Sequence, residues 1–144
     1  MKIISWNVNS VRARINYVNE LLQTEKPDIL CLQETKIIDS EFPIKNFTEL
    51  GYFSYFFGIP SYNGVAILSK RKLINVEKIG LCNKLDARII SAETSGFDIM
   101  SVYVPAGGDI PDPNINPKFR HKLLFLDELN QLLKKKKKLL FAAI

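Results

Sequence analysis

Long hydrophobic runs are absent from this sequence, and cysteine is scarce. No stretch approaches 18 consecutive apolar residues, so the pattern excludes a membrane-spanning helix. The first apolar run is broken at Ser5 and Asn7, which makes it too short for the hydrophobic region of a signal peptide. The two cysteines, Cys31 and Cys82, lack the spacing of a secreted disulfide framework. We therefore expect a cytoplasmic protein that makes no membrane contact.

Distributed positive charge is also missing. The chain has 20 Lys and Arg against 15 Asp and Glu, which makes the net charge +5. Five of these basic residues form the run Lys134–Lys138, and the remaining 15 only balance the acidic ones. The run is typical of a solvated helix end, and the composition does not indicate a basic surface that binds nucleic acid by charge alone.

Length and composition are those of one globular domain. The 144 residues are 47% hydrophobic and 24% charged, which is ordinary for a soluble fold. No repeat of solenoid length and no linker divides the chain. We therefore predict a single domain spanning residues 1–144.

The N-terminal part predicts a strand–helix–strand unit. Residues 2–6 are apolar and β-branched, and residues 28–33 form a second buried strand after Pro27. Ser10 is a candidate N-cap for a helix whose apolar face is Val11, Ile15, Val18 and Leu22. Such a crossover joins parallel strands.

The remaining sequence favours antiparallel strands and a final helix. Asn63-Gly64 is a strong hairpin signal between the predicted strands 52–57 and 65–68. Further strands are predicted at 73–79, 87–94, 97–104 and 139–141. Residues 105–117 hold four prolines and predict a loop. The apolar stripe of the helix predicted over 118–133 is Phe119, Leu123, Leu126, Leu129 and Leu133. The expected fold is α/β (α+β), with a mixed sheet and flanking helices.

Two polar residues end the first two predicted strands. If these strands are parallel neighbours, Asn7 and Glu34 emerge at the same carboxyl edge, where open α/β sheets bind ligands. Mg²⁺ is usually held by one or two carboxylates together with water and phosphate, and Glu34 suits that role. Position alone favours a solvated turn glutamate at residue 34, and Asn7 alone is a weak signal because Asn is also common as a turn residue.

Two further residues have less distinctive positions. Tyr103 ends a strand before a Gly-rich loop, where a phenol can donate to a phosphate, but its position alone favours an ordinary strand aromatic. His121 is the only histidine, and it lies in the first turns of the last helix. A single histidine without a partner is more typical of a surface residue than of a catalytic base.

Taken together, the motifs resemble the exonuclease III family of apurinic/apyrimidinic endonucleases, within the endonuclease/exonuclease/phosphatase superfamily. The helix after residue 118 fits as well, and the resemblance runs from residue 2 to about residue 130. The family usually has Asn two positions before its motif tyrosine, whereas this chain has Ser101. The matching stretches are residues 4–9 (ISWNVN), 32–36 (LQETK), 63–70 (NGVAILSK) and 103–107 (YVPAG).

The resemblance implies a Mg²⁺- or Mn²⁺-dependent phosphodiesterase. Such an enzyme would cut double-stranded DNA 5′ to abasic sites, trim 3′ ends and need no small-molecule cofactor. Carried over residue by residue, Glu34 is a metal ligand, Asn7 helps to hold metal and phosphate, and Tyr103 stabilises the scissile phosphate. The implied fold is the N-terminal half of a four-layer α/β/β/α sandwich.

Two motifs implied by the resemblance do not occur in the sequence. The Gly-Asp-x-Asn and Asp-His motifs position and activate the attacking water, and we expect no useful nuclease activity without them. The five lysines imply an adenine-rich coding run, where a base is easily gained or lost. With one choice of codons, a one-base shift over residues 139–144 restores an apolar strand followed by Gly-Asp-Leu and a codon compatible with Asn. We therefore expect a frameshifted or truncated, catalytically incomplete form, which the nucleotide sequence would decide.

Three expectations accompany this interpretation. If the second half of the sandwich is missing, the inner sheet face is left wet and the chain is unstable or aggregation-prone. One alternative function is another superfamily phosphodiesterase or phosphatase, since the metal-site residues are shared. The other alternative is a non-catalytic DNA-binding fragment, for which charge outside the lysine run offers little support.

Overall fold

Two four-stranded sheets form the centre of the protein. The computed structural model describes residues 1–136 and 138–144. The first sheet has the order β1-β2-β4-β3 and the second β5-β6-β7-β8. The strands are β1 (Ile3–Asn7), β2 (Ile29–Gln33), β3 (Phe53–Phe57), β4 (Val65–Ser69), β5 (Ile74–Leu81), β6 (Lys84–Glu93), β7 (Asp98–Val102) and β8 (Leu139–Ala143). The helices are α1 (Ile15–Thr24), α2 (Ile44–Glu49) and α3 (Pro117–Lys134), with a short 3-10 turn at Asp39–Glu41.

The predicted strand–helix–strand unit is confirmed, with a later helix start. Strands β1 and β2 pair in parallel, and Asn7 lies opposite Gln33. Helix α1 begins at Ile15 with Arg14 as its N-cap, so the prediction of Ser10 as N-cap is wrong. Ser10 has a φ of 83°, and its hydroxyl accepts a hydrogen bond from the Ala13 N–H, which closes a turn before the helix.

The prediction of one mixed sheet is corrected to two. In the first sheet β1 and β2 are parallel while β2, β4 and β3 are antiparallel. In the second sheet β5, β6 and β7 are antiparallel, and β8 joins β7 in parallel. Sequence alternation identifies strands and their faces but not their neighbours, because hydrogen-bond pairing is decided by packing between sheets.

Four layers are present in the chain, in the order α/β/β/α. Helices α1 and α2 cover the outer face of the first sheet, around Val18, Leu22 and Phe47. Helix α3 covers the outer face of the second sheet through Phe125 and Leu129. This arrangement confirms the α/β class and the layer order.

The expectation of a wet inner sheet face is wrong. Both sheets come from this chain, and their inner faces pack against each other. Ile67 of the first sheet and Ile90 and Ile99 of the second are fully buried in this inter-sheet core. Burial of this apolar surface stabilises the packing of the two sheets.

The predicted final helix is confirmed as α3, but fewer residues of its predicted apolar stripe are buried than expected. The Asn116 side chain accepts hydrogen bonds from the N–H groups of Lys118 and Phe119, and Pro117 occupies the first turn. Leu123 and Leu126, predicted to be in the stripe, are 42% and 39% exposed. The Lys137 position of the lysine run lies outside the described residues. Among the described residues, no helix is long and apolar enough to cross a membrane.

Candidate functional site

Asn7, Glu34 and Tyr103 meet at one end of the sandwich. Asn7 ends β1, Glu34 follows β2, and Tyr103 follows β7 of the opposite sheet. The Nδ2 of Asn7 donates to Oε1 of Glu34 at 2.7 Å. Tyr103 lies near enough to lower the pKa of Glu34 by hydrogen bonding. The structure thus brings together all three residues that the sequence predicts for the site.

The two loops that carry Asn7 and Glu34 are joined by backbone hydrogen bonds beyond the strands. The N–H groups of Val8, Ser10 and Val11 donate to the carbonyls of residues 33, 34 and 35 at 2.8 to 3.1 Å. Ser10 and Glu34 both have positive φ values, of 83° and 53°. Such backbone is unfavourable for residues other than glycine unless its surroundings hold it. The loops are therefore held in one arrangement.

Asn63 and Gly64 hold the Glu34 loop from the other side. The N–H of Thr35 donates to the Gly64 carbonyl at 3.1 Å, and that of Lys36 to the Asn63 carbonyl at 2.9 Å. The predicted antiparallel pairing of β3 and β4 is confirmed. The connection, however, runs from residue 58 to 64, so Asn63-Gly64 is not a two-residue hairpin turn. These two residues instead support the site.

The Glu34 carboxylate is partly buried and lies next to the ammonium group of Lys36. Its side chain is 19% exposed, and Nζ of Lys36 lies 3.1 Å from Oε2. Burial by itself raises the pKa of Glu34, but hydrogen bonds from Asn7, Lys36 and Tyr103 outweigh it, so the pKa is below its ordinary value. The carboxylate is therefore ionised at neutral pH and already faces one cation.

The Tyr103 ring packs against Arg88, a residue that the sequence did not indicate as part of the site. The guanidinium of Arg88 lies 5.0 Å from the Tyr103 ring centroid, and its Nε is 2.7 Å from Oδ2 of Asp86. Burial, followed by contact with the Glu34 carboxylate, raises the pKa of Tyr103, so the phenol stays protonated and can donate. The only sign of it in the sequence was that one arginine lies within the apolar run of β6.

His121, predicted to be a surface residue, has a lowered pKa. Burial lowers the pKa of His121, and the charges of Lys84 and Arg88 lower it further. The imidazole is therefore neutral at pH 7. It is half-buried at the start of α3, and no contact with Asn7 or Glu34 gives it a role in the cluster.

The oxygen donors of this cluster fit a hard divalent cation. Glu34 is ionised, and the Lys36 ammonium shows that its carboxylate accommodates positive charge. In the observed orientation, Asn7 turns its NH₂ to Glu34, and its oxygen accepts from the Asn9 N–H at 3.1 Å. Among the described residues no group of three or more His, Cys, Asp or Glu side chains could hold a metal. Glu34 therefore fits the one-carboxylate pattern of Mg²⁺ sites, completed by water and phosphate.

A separate cavity of about 570 Å³ opens at the other end of the sandwich. It is lined by residues at the start of β2 and in the β6–β7 turn, including Ile29, Thr94 and Phe97. The strand ends that carry Asn7, Glu34 and Tyr103 point away from it. The cavity is therefore not part of the candidate site.

Comparison with known proteins identifies the family. The sequence profile of the Endonuclease/Exonuclease/phosphatase family matches residues 4–140. Exodeoxyribonuclease III of Haemophilus influenzae is 33% identical over 141 residues, which are 94% of this chain and 52% of that protein. An AP endonuclease from Archaeoglobus fulgidus superposes with a TM-score of 0.88 at 35% identity, over 99% of this chain and 56% of that one.

A second similar structure is a 3′ phosphatase from Neisseria bound to a product DNA hairpin. Its TM-score is 0.88 at 33% identity, over 99% of this chain and 56% of that one. The chain thus spans about half the length of these relatives. The matched profile covers nearly the whole sequence, and the chain belongs to the endonuclease/exonuclease/phosphatase family.

Proposed function

We propose that this chain forms the metal- and phosphate-holding part of an exonuclease III-type phosphodiesterase. Glu34 is the carboxylate ligand of Mg²⁺ or Mn²⁺. Asn7 orients that carboxylate and helps to hold metal and phosphate, and Tyr103 donates to the scissile phosphate. The observation that supports this assignment is the 2.7 Å bond from Asn7 to Glu34 at the strand edge that Tyr103 also reaches.

The residues of the chain have distinct tasks in this proposal. A bound divalent ion would act as a Lewis acid on a phosphate oxygen and as a template for the substrate. Asn7 restrains one carboxylate oxygen of Glu34 by a hydrogen bond. Lys36 forms an ion pair with the other oxygen in the absence of metal. Burial and the Glu34 carboxylate raise the pKa of Tyr103, so its phenol keeps a hydrogen to donate to a phosphate oxygen.

The proposed substrate is double-stranded DNA with abasic sites or 3′ ends. The names of the similar proteins, an exodeoxyribonuclease III and an AP endonuclease, support it. The DNA hairpin bound to the Neisseria 3′ phosphatase supports DNA as the partner class. This chain covers about half of each relative, so the complete cleavage reaction is proposed for the family's full-length enzymes and is not assigned to these 144 residues alone.

The first test is Mn²⁺ binding by the purified 144-residue chain, followed by electron paramagnetic resonance. We expect saturable binding that is lost in Glu34→Gln and kept in the control Glu77→Gln, whose carboxylate is exposed on β5. Binding that is unchanged in Glu34→Gln would contradict the assignment of the ligand.

The second test is cleavage of an abasic duplex. The sequence holds no Gly-Asp-x-Asn or Asp-His motif to position and activate the attacking water. We therefore expect no useful cleavage by this chain alone. Cleavage that disappears in Glu34→Ala would show that this expectation is wrong and that the present residues suffice for the reaction.

A phosphatase and a non-catalytic DNA-binding fragment are the two alternative functions, and each can be tested by its own assay. A phosphatase role is favoured by the similarity to a 3′ phosphatase, and hydrolysis of a 3′ phosphomonoester in preference to a phosphodiester would support it. A non-catalytic DNA-binding fragment is favoured by the two missing motifs. Salt-dependent binding of abasic DNA without cleavage would support that role.

A further inference from the structure

A layer of polar side chains lies directly beneath the candidate site. Along each of three strands, the side chains facing the inter-sheet space change in steps of two residues. In β1 and β7 an apolar side chain is followed by a serine and then by a residue of the site, and in β2 two apolar side chains are followed by the amide of Gln33. Ser5 and Ser101 lie two residues, or about 7 Å, before Asn7 and Tyr103 along their strands, whereas Gln33 lies opposite Asn7 and immediately precedes Glu34. The inward series are Ile3, Ser5 and Asn7 in β1; Ile29, Cys31 and Gln33 in β2; and Ile99, Ser101 and Tyr103 in and after β7.

Gln33 and Ser101 connect the two sheets within this layer. Nε2 of Gln33 donates to Oγ of Ser101 at 3.1 Å and to Oγ of Ser5 at 3.2 Å. The Ser101 hydroxyl in turn donates to the Leu32 carbonyl at 3.1 Å. Both Gln33 and Ser101 are 0% exposed. The network therefore ties the last residues of β2 to β7 and to β1.

Burial makes the geometry of this network demanding. A buried amide or hydroxyl that loses its partner retains the full cost of its desolvation. Sliding of one sheet against the other by one residue would break the bonds of Gln33 and Ser101 together. An apolar pair at these positions would tolerate several packings, since dispersion contacts have no preferred direction. The hydrogen bonds therefore select one relative position of the two strand ends.

The residues that follow this layer are the ones that meet at the site. Gln33 immediately precedes Glu34, and Ser101 lies two residues before Tyr103. Glu34 comes from the first sheet and Tyr103 from the second, so their proximity depends on how the sheets sit on each other. Asn7, in contrast, belongs to the same sheet as Glu34 and is held to it by strand pairing.

We propose that Gln33 and Ser101 are positioning residues that hold Glu34 and Tyr103 at a fixed separation across the two sheets. They touch neither metal nor phosphate, and they act through the strand ends that carry the site. The metal arm of the test below rests on the proposed function, whereas the distance arm does not.

A second buried serine provides a matched control. Ser91 lies on β6 of the same sheet and is 1% exposed, but its hydroxyl has no hydrogen-bond partner within the described residues. It pairs with Met100, whose side chain belongs to the core beneath α3 and not to the inter-sheet space. Ser91→Ala and Ser101→Ala therefore remove the same atom from equally buried strands, but only Ser101→Ala removes an inter-sheet hydrogen bond.

The experiment compares the 144-residue chain with Ser101→Ala, Gln33→Met, Ser91→Ala and Ser101→Thr. The first readout is the nuclear Overhauser effect between the Tyr103 ring and the Glu34 side chain in the metal-free protein. The second is the dissociation constant for Mn²⁺. We expect Ser101→Ala and Gln33→Met to weaken or lose the Overhauser effect and to raise the dissociation constant about tenfold, the lower end of the range for groups that orient metal ligands. Ser91→Ala should leave both unchanged, and Ser101→Thr should keep the hydroxyl and restore both.

Each outcome decides for or against the positioning role. An intact Overhauser effect and a Mn²⁺ affinity within twofold of the parent in Ser101→Ala would overturn it, as would equal losses in Ser91→Ala. If Gln33→Met does not fold, Ser101→Ala and Ser101→Thr still decide. If the parent chain binds no Mn²⁺, the proposed function fails, and the Overhauser effect alone tests the positioning role.

Discussion

The side-chain amide of Asn7 lies 2.7 Å from the Glu34 carboxylate, although 26 residues separate them in the chain. Parallel pairing of β1 and β2 places Asn7 opposite Gln33, which immediately precedes Glu34. The contact is therefore fixed by the register of β1 against β2 and does not depend on the movement of the loops that follow them. It restrains one carboxylate oxygen and leaves the other toward Lys36.

Replacing Asn7 should loosen the proposed metal ligand without removing it. We expect Asn7→Ala to weaken Mn²⁺ binding by about 10- to 100-fold, the usual cost of losing a hydrogen-bond partner of a ligand. Asn19→Ala is the control, because Asn19 makes a comparable amide pair with Asn46 at 3.0 Å, away from the site. Calorimetric titration measures both, and equal affinities in the two variants would argue against a role for Asn7.

Gly64 should tolerate no side chain, for two separable reasons. Its φ is 91°, and an added Cβ would lie 2.2 Å from Oγ1 of Thr35. Gly51 has a similar φ of 84° but nothing within 4 Å of such a Cβ. We expect Gly51→Ala to cost about 1–2 kcal/mol of unfolding free energy from strain alone, and Gly64→Ala to cost more. Urea denaturation of both variants measures the difference, and equal losses would mean that Thr35 moves aside freely.

Ile67 tests whether the inter-sheet core stabilises the chain by itself. The side chain is fully buried between the sheets. We expect cooperative unfolding of the parent, and a loss of about 2–5 kcal/mol in Ile67→Ala from lost burial and a residual cavity. Ile115→Ala, at a position that is 69% exposed, should change little. A broad, non-cooperative thermal transition in the parent would contradict a formed core.

The two cysteines should differ in reactivity. Burial raises the pKa of Cys31 to about 12, and its side chain is fully buried. Cys82 is partly exposed. Since the thiolate is the reactive form, iodoacetamide at pH 8 should modify Cys82 first and Cys31 only after unfolding. Peptide mass spectrometry over time gives the order, and early labelling of Cys31 would show that its strand opens in the native state.

Asp28 should make stability depend on pH at the acidic end. The backbone N–H of Lys2 donates to Oδ2 of Asp28 at 2.6 Å, and this bond is the main cause that holds the pKa of Asp28 below its ordinary value. A lowered folded-state pKa means that the stabilisation is present above the unfolded pKa and is lost as the pH falls through the folded one. Asp28→Asn should therefore be less stable than the parent near pH 7, with the gap closing under acidic conditions.

Unfolding at several pH values checks this expectation. Asp109→Asn, at an exposed loop position, is the control. A stability difference between Asp28→Asn and the parent that stays constant down to pH 2 would contradict the linkage.

Local patterns predicted that Asn7 and Glu34 lie at neighbouring strand ends, and the structure places them there. Asn7 and Glu34 were found because each ends a short apolar run, and a strand end is a local property. The Ser10 cap was placed wrongly, because a serine that closes a turn and one that caps a helix look alike in sequence. Arg88 was missed because nothing local shows that an arginine in an apolar strand supports a tyrosine on the next strand.

The sequence by itself determined that β1 and β2 end at Asn7 and just before Glu34, because a break from apolar to polar residues is a property of a few neighbouring residues. It also determined the family, through motifs that lie within single strands and loops. Only the tertiary structure decided that there are two sheets, that their inner faces bury each other, and that Gln33 bonds Ser101 between them. These features depend on contacts between residues far apart in the chain, such as Gln33 and Ser101 at 68 positions, whose formation is set by the packing of the whole sandwich.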